Sequence, residues 1–267
     1  MDSINDPVKL DKIKGLDAII SKLRKQNKKL NPSKMVQLSK DISDDELLRH
    51  VEIIKLLAGE GYKMTAEHEQ LIIGMIYYFN GLENKAKEYG FDLSKAIGIT
   101  GAWGVGKTTI FGAFHDYLST LCPVDYNPNT YRITSMDEIV DVLRNKSKSE
   151  AFRSLYLLNT IENGDGTFKP SPIHICINEF GVRYDILDYG TDINELIDTF
   201  LMHRYDIFVK YGKVTHMTTN YGAKNLEQIF GKGSKKLPDI KLPDRFKEMW
   251  NMKHLKGESF RGKSNNI

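Results

Sequence analysis

Gly101-Ala102-Trp103-Gly104-Val105-Gly106-Lys107-Thr108-Thr109 is the stretch on which the reading of this chain turns. It follows directly on the apolar run Ala96-Ile97-Gly98-Ile99. It fits G-x-x-x-x-G-K-[ST] at every fixed position, between a predicted strand and a predicted helix. The glycines let the backbone turn so that several N–H groups face one anion, and a helix starting at Lys107 adds the partial positive charge of its N-terminus. Lys107 suits the outer phosphates of a nucleotide, and the Thr108 hydroxyl suits a magnesium ion. Gly101, Gly104, Val105, Gly106, Lys107, Thr108 and Thr109 are therefore the candidate binding residues, with ATP and Mg2+ as the expected cofactors. Trp103 is unusual in such a loop: covering the phosphates and packing on a neighbour are both open to it.

Outward from this loop, apolar strands alternate with helices, the pattern of a parallel sheet with helices on both faces. Strands are expected at 96–100, 129–134, 173–177, 214–218 and 250–255, and helices at 107–118, 136–145, 194–210 and 225–230. The segment from Lys146 to Ser171, with Asn163-Gly164-Asp165-Gly166, reads as an insertion ending in a surface turn. Upstream, Ser43 to Glu46 forms a capping box ahead of Leu47, Leu48, Val51, Ile54 and Leu57, at the spacing of an amphipathic helix. Thr65 with Glu67 marks the start of another, running through Leu71, Ile72, Met75, Ile76 and Phe79 to Asn80-Gly81. The first forty residues read as a polar helix and a linker, broken at Asn31-Pro32.

A nucleotide site of this type needs a second strand that ends in acidic residues. Ile173 to Glu179 has that shape. Glu179 is the candidate catalytic base, and Asn178 stands where a metal-associated aspartate is expected. An amide brings no negative charge, so Asn178 holds magnesium less firmly and turnover suffers before binding does. Asn220, after Met217-Thr218-Thr219, is either a group orienting the attacking water or a turn residue ahead of Gly222.

The 267 residues are 40% hydrophobic and 27% charged, enough for one α/β core and an accessory region. No apolar run reaches membrane-spanning length and no secretion signal opens the chain, so a cytoplasmic protein without membrane contact is expected. Cys122 and Cys176 fall in no metal-ligand spacing and read as small buried residues, and the scattered histidines support no metalloprotease or hydrolase motif. The net charge is +3, but residues 1–40 and 231–267 each hold ten Lys/Arg against four Asp/Glu. Such basic ends suit a polyanion and equally suit simple solubility.

The order of motifs, Gly101 to Thr108, Ile175 to Gly181, Thr218-Thr219-Asn220 with Leu226 to Gly231, then Pro243 to Met249 and Leu255 to Arg261, resembles the DnaC-type helicase loaders and the related IstB transposition helpers. The likeness spans roughly residues 65 to 262. It implies an α/β P-loop NTPase of the AAA+, RecA-like class, with residues 1–60 as a helical partner-binding region and 61–267 as an ATPase domain lacking a C-terminal lid. It further implies ATP hydrolysis with Glu179 as the catalytic carboxylate, Asn220 as the polar sensor and Arg245 reaching into a neighbour's site in a homo-oligomer. On the residues alone, Arg245 is equally a surface arginine on a short helix. A replicative helicase and single-stranded DNA are the implied partners, with a transposase as the alternative. A nucleotide-gated binding module with little turnover is the reading that Asn178 favours. Arg261 occupies a place similar to that of a second sensor arginine.

Overall fold

The computed structural model describes residues 41–59, 62–121, 129–146, 157–162, 168–184, 187–188, 191–231, 242–257 and 259. Most of both basic ends, the Asn31-Pro32 break, Cys122, the turn at 163–166 and Arg261 lie outside them. The described chain forms two compact units: one takes in the residues up to Ser94, Gly101–Thr130 and those from Lys253 onward, the other Lys95–Thr100 and Tyr131–Met252.

The first unit is helical. Helix α1 (Asp44–Ala58) opens on the expected box, with the Glu46 carboxylate accepting from the Ser43 N–H at 3.1 Å. Helix α2 (Ala66–Phe79) opens at Thr65, but its box is closed by His68 rather than Glu67. The third helical position lies over the capping amide; Glu67, one residue earlier, instead accepts from the Thr65 hydroxyl, at 3.1 Å. A short α3 (Glu83–Glu88) follows, and α4 (Lys107–Leu121) packs against α1. Ile53 and Ile54 of α1, Ile72, Met75, Ile76 and Phe79 of α2, and Phe111, Phe114 and Leu118 of α4 are all at 1% exposure or less, which makes this unit's core continuous across the three helices. Burying these side chains supplies on the order of 2 kcal/mol each.

The second unit is built round a five-stranded sheet in the order β2-β5-β8-β1-β9. Its strands are β1 (Ala96–Thr100), β2 (Tyr131–Ser135), β5 (His174–Asn178), β8 (Thr215–Thr219) and β9 (Trp250–His254). The pairs β2/β5, β5/β8 and β8/β1 are parallel. Ile97, Ile99, Ile175, Ile177 and Met217 are fully buried, as near-continuous apolar strands of a covered parallel sheet require. Helices α5 (Met136–Asn145), α6 (Ile193–Tyr211), α7 (Ala223–Gly231) and α8 (Leu242–Met249) belong to this unit. Fully buried Arg204 of α6 donates to the Thr215 hydroxyl at 2.8 Å and to the carbonyls of Ile173 and Val214 at 3.1 and 3.2 Å. That guanidinium marks where β5 and β8 begin, one residue later than apolarity alone suggests. Rings of Phe180, Phe230, Phe246 and Trp250 form one aromatic cluster, with Phe246 and Trp250 centroids 4.8 Å apart.

The expected insertion corresponds in its described part to an antiparallel hairpin, β3 (Leu157–Glu162) with β4 (Phe168–Pro172). A second small hairpin joins β6 (Leu187–Asp188) to β7 (Thr191–Asp192). The core sheet with its glycine-rich loop and following helix is the α/β P-loop NTPase fold.

Candidate nucleotide-binding site

Gly101 to Gly106 link the end of β1 to the start of α4. Gly104 and Gly106 have φ of 77° and 88°, the left-handed region that side chains other than glycine enter at a cost of about 1–2 kcal/mol. A Cβ on Gly104 would run into the Ser259 hydroxyl, and one on Gly101 into the Leu255 carbonyl, so the glycines are required by space as well as by dihedral. Val105 between them is buried. Its carbonyl accepts from the Nε2 of His68 at 2.9 Å. The first helical bond of α4 runs from the Ile110 N–H to the Gly106 carbonyl, which leaves the preceding amides outside the helix ladder.

Lys107 is 7% exposed, and its ammonium donates to the carbonyls of Gly101 at 2.8 Å and Ala102 at 2.6 Å. Thr108 is exposed and Thr109 half-buried. Trp103 stands out at 62% exposure. Turned backbone, a lone ammonium and an exposed hydroxyl at a helix start fit a polyphosphate and its magnesium. Among the described residues no group of three or more His, Cys, Asp or Glu is placed to hold a metal by itself.

Asn178, Glu179 and Asn220 belong to the second unit, at the carboxyl ends of β5 and β8. Thr218 ties the two strand ends together. Its hydroxyl donates to Asn178 Oδ1 at 3.1 Å and accepts from the Glu179 N–H at 3.3 Å, and its carbonyl accepts from the Phe180 N–H at 2.8 Å. Thr219 adds a bond from its hydroxyl to the Phe180 carbonyl at 2.7 Å and accepts from the Tyr221 N–H at 3.1 Å. Glu179 is exposed and is the one non-glycine residue with positive φ, 59°, among the described residues. Strain of this kind gathers where a side chain must be aimed. Asn220, half-buried, follows directly on β8. In the sequence Thr218 and Thr219 counted only as the lead-in to Asn220, since a polar doublet closing a strand reads as a boundary.

Arg245 of α8 is placed apart from these groups: its guanidinium lies over the Tyr205 ring of α6, 4.6 Å from the centroid, and donates to Met202 Sδ. Tyr205 in turn donates its hydroxyl to Glu248 at 2.8 Å. Buried Cys176 has its thiol pushed well up by burial, in keeping with a small core residue. No helix among the described residues is long and apolar enough to cross a membrane.

Residues 84–179 match the model of the KAP family P-loop domain, a match that runs from ahead of β1 through Glu179. No curated protein matches the chain. Among solved structures, one described as DnaI is 12% identical, with a TM-score of 0.49, over 83% of this chain and 97% of that one. The DnaC helicase loader is 15% identical, with a TM-score of 0.46, over 74% and 95%. AMPPCP-bound DnaA from Aquifex aeolicus is 12% identical, with a TM-score of 0.42, over 73% and 48%.

Proposed function

We propose that this chain is an ATP-binding AAA+ protein of the helicase-loader type, which contacts a replicative helicase and single-stranded DNA in a nucleotide-dependent way. The observation that carries the nucleotide part is the cradle from Gly101 to Thr108: two left-handed glycines, amides outside the helix ladder and Lys107 at the helix start. In this reading the ammonium of Lys107 grips the outer phosphates and Thr108 holds the magnesium, which supplies charge neutralisation on the phosphate oxygens. Glu179 accepts the proton of the attacking water, and Asn220 orients that water. Arg245, held in place by Tyr205, offers a preformed guanidinium to the site of an adjacent copy. The helicase and DNA parts are supported by the order of motifs from Gly101 to Arg261 and by the basic ends, and the reading assigns residues 1–60 as the helicase grip.

Calorimetry with Mg-ATP on the full chain should give a binding heat that Lys107→Ala abolishes; absence of heat in the wild type rejects the reading. Capture of proteins on the nucleotide-loaded full chain should recover a hexameric helicase, whereas recovery of a transposase transfers the reading to the IstB type.

A second reading, a nucleotide-gated binding module with little turnover, is favoured by one observation: Asn178 turns its carbonyl oxygen to Thr218 at 3.1 Å. That oxygen is already engaged, and the group carries no charge to attract magnesium. Phosphate release from the wild type beside Asn178→Asp and Glu179→Gln separates the two, because substantial wild-type turnover lost in Glu179→Gln rejects the module.

A further inference from the structure

We infer that His68, at the start of α2, is a positioning residue for nucleotide, setting the orientation of a peptide in the phosphate loop from outside it. The inference rests on the nucleotide-binding reading above.

His68 is fully buried and has two backbone partners of fixed character. Its Nδ1 lies 3.3 Å from the Thr65 N–H, which can only donate, so Nδ1 is the acceptor. Its Nε2 lies 2.9 Å from the Val105 carbonyl, which can only accept, so Nε2 carries the proton. The bond from Nε2–H to Val105 is the one that reaches the loop. The Thr65 hydroxyl, 2.6 Å from Nδ1, and the Tyr62 ring, edge-on at 5.4 Å, steady the imidazole further.

The consequence lies in the peptide between Val105 and Gly106. In a planar trans peptide the carbonyl and the following N–H point in opposite directions, and no cis bond occurs here. Holding the Val105 carbonyl toward α2 therefore aims the Gly106 N–H the other way, away from α2. Gly106, at φ 88°, has no Cβ to resist rotation of that peptide. The histidine supplies the resistance that glycine lacks. A flipped peptide would turn a carbonyl oxygen toward the anion in place of an amide hydrogen.

Three full-length variants test this, each read by Mg-ATP titration and by urea denaturation, with Lys107→Ala alongside. His68→Met removes both ring bonds and should weaken ATP about tenfold, the effect of one lost directed hydrogen bond. His68→Gln, which keeps a donor and an acceptor at a similar separation, should restore affinity to within about threefold of wild type. Thr65→Ala removes the cap hydroxyl and its contact with Nδ1 but leaves the Nε2–H bond to Val105, so it should lower stability by about 1 kcal/mol and weaken ATP less than His68→Met does. The inference is overturned if His68→Met binds like wild type, if Gln fails to rescue, or if Thr65→Ala weakens ATP as much as Met does. Wild type that binds nothing removes the nucleotide reading itself and this inference with it, whereas wild-type binding lost in Lys107→Ala but kept in His68→Met removes only the role of the histidine.

Discussion

At the scale of the residue, Glu179 follows β5 in a left-handed conformation. Its left-handed backbone is held by the neighbouring bonds of Thr218 to Asn178, Glu179 and Phe180. Only a surrounding network makes such a conformation persist in a residue with a Cβ. Glu179→Ala and Glu179→Gly both remove the carboxylate, but glycine alone also removes the strain. Glycine should therefore be more stable than alanine by about 1 kcal/mol in denaturant unfolding, while both lose whatever phosphate release the wild type has. Equal stability of the two variants would mean that the backbone there is relaxed. The acidic residue itself was legible from its place after an apolar strand; its dihedral was not, because the bonds that impose it come from β8, some forty residues later in the chain.

Among the elements, β5, β8 and α6 are joined by one guanidinium. Arg204 answers three acceptors on two strand starts, a geometry that the rigid fork of arginine meets and the single ammonium of lysine does not. Arg204→Met should cost about 3 kcal/mol in urea unfolding, because it strands buried carbonyls, and Arg204→Lys should recover only a part of that. Strand and helix identity along the sheet was readable because apolar runs of strand length alternate with helical spacing. The ends were less so: apolarity starts at Ile173 and Val214, and the arginine that defines where pairing begins lies on α6. The same limit explains His68, since Thr-x-x-Glu or Thr-x-x-Gln is the familiar cap and a histidine there reads as another helix residue. The hairpin of β3 and β4 was missed because Pro170, Pro172 and the Asn163-Gly164-Asp165-Gly166 turn read as loop.

For the molecule as a whole, the buried charge balance sets an acid limit. Burial, with Arg204 nearby, pushes His216 down to about 3, while its Nδ1 accepts from the Ile97 N–H at 3.1 Å. An unfolded histidine titrates near 6.5, so below that pH the unfolded chain takes up a proton that the folded one refuses. Stability is thus full above about pH 6.5 and falls as pH drops toward 3, with a loss from this group of about 2 kcal/mol by pH 5. Asp198 works in the opposite sense, its carboxyl raised by burial despite Arg183, and offsets a part of the loss at lower pH. His216→Asn keeps an acceptor for Ile97 and cannot titrate, so its unfolding midpoint should change less between pH 7 and pH 5 than that of the wild type. A slope that the substitution leaves untouched would assign the acid limit elsewhere.

The parked ammonium of Lys107 has an outcome for what the loop admits. With the carbonyls of Gly101 and Ala102 already as partners, the cation is not an open charge waiting for any anion. Chloride or a lone monoanion offers too little to draw it off two oxygens at once, whereas a chain of linked phosphates presents several charges along one path. In the nucleotide reading proposed above, selectivity against the small salts of the surrounding water rests on those two carbonyl bonds of Lys107.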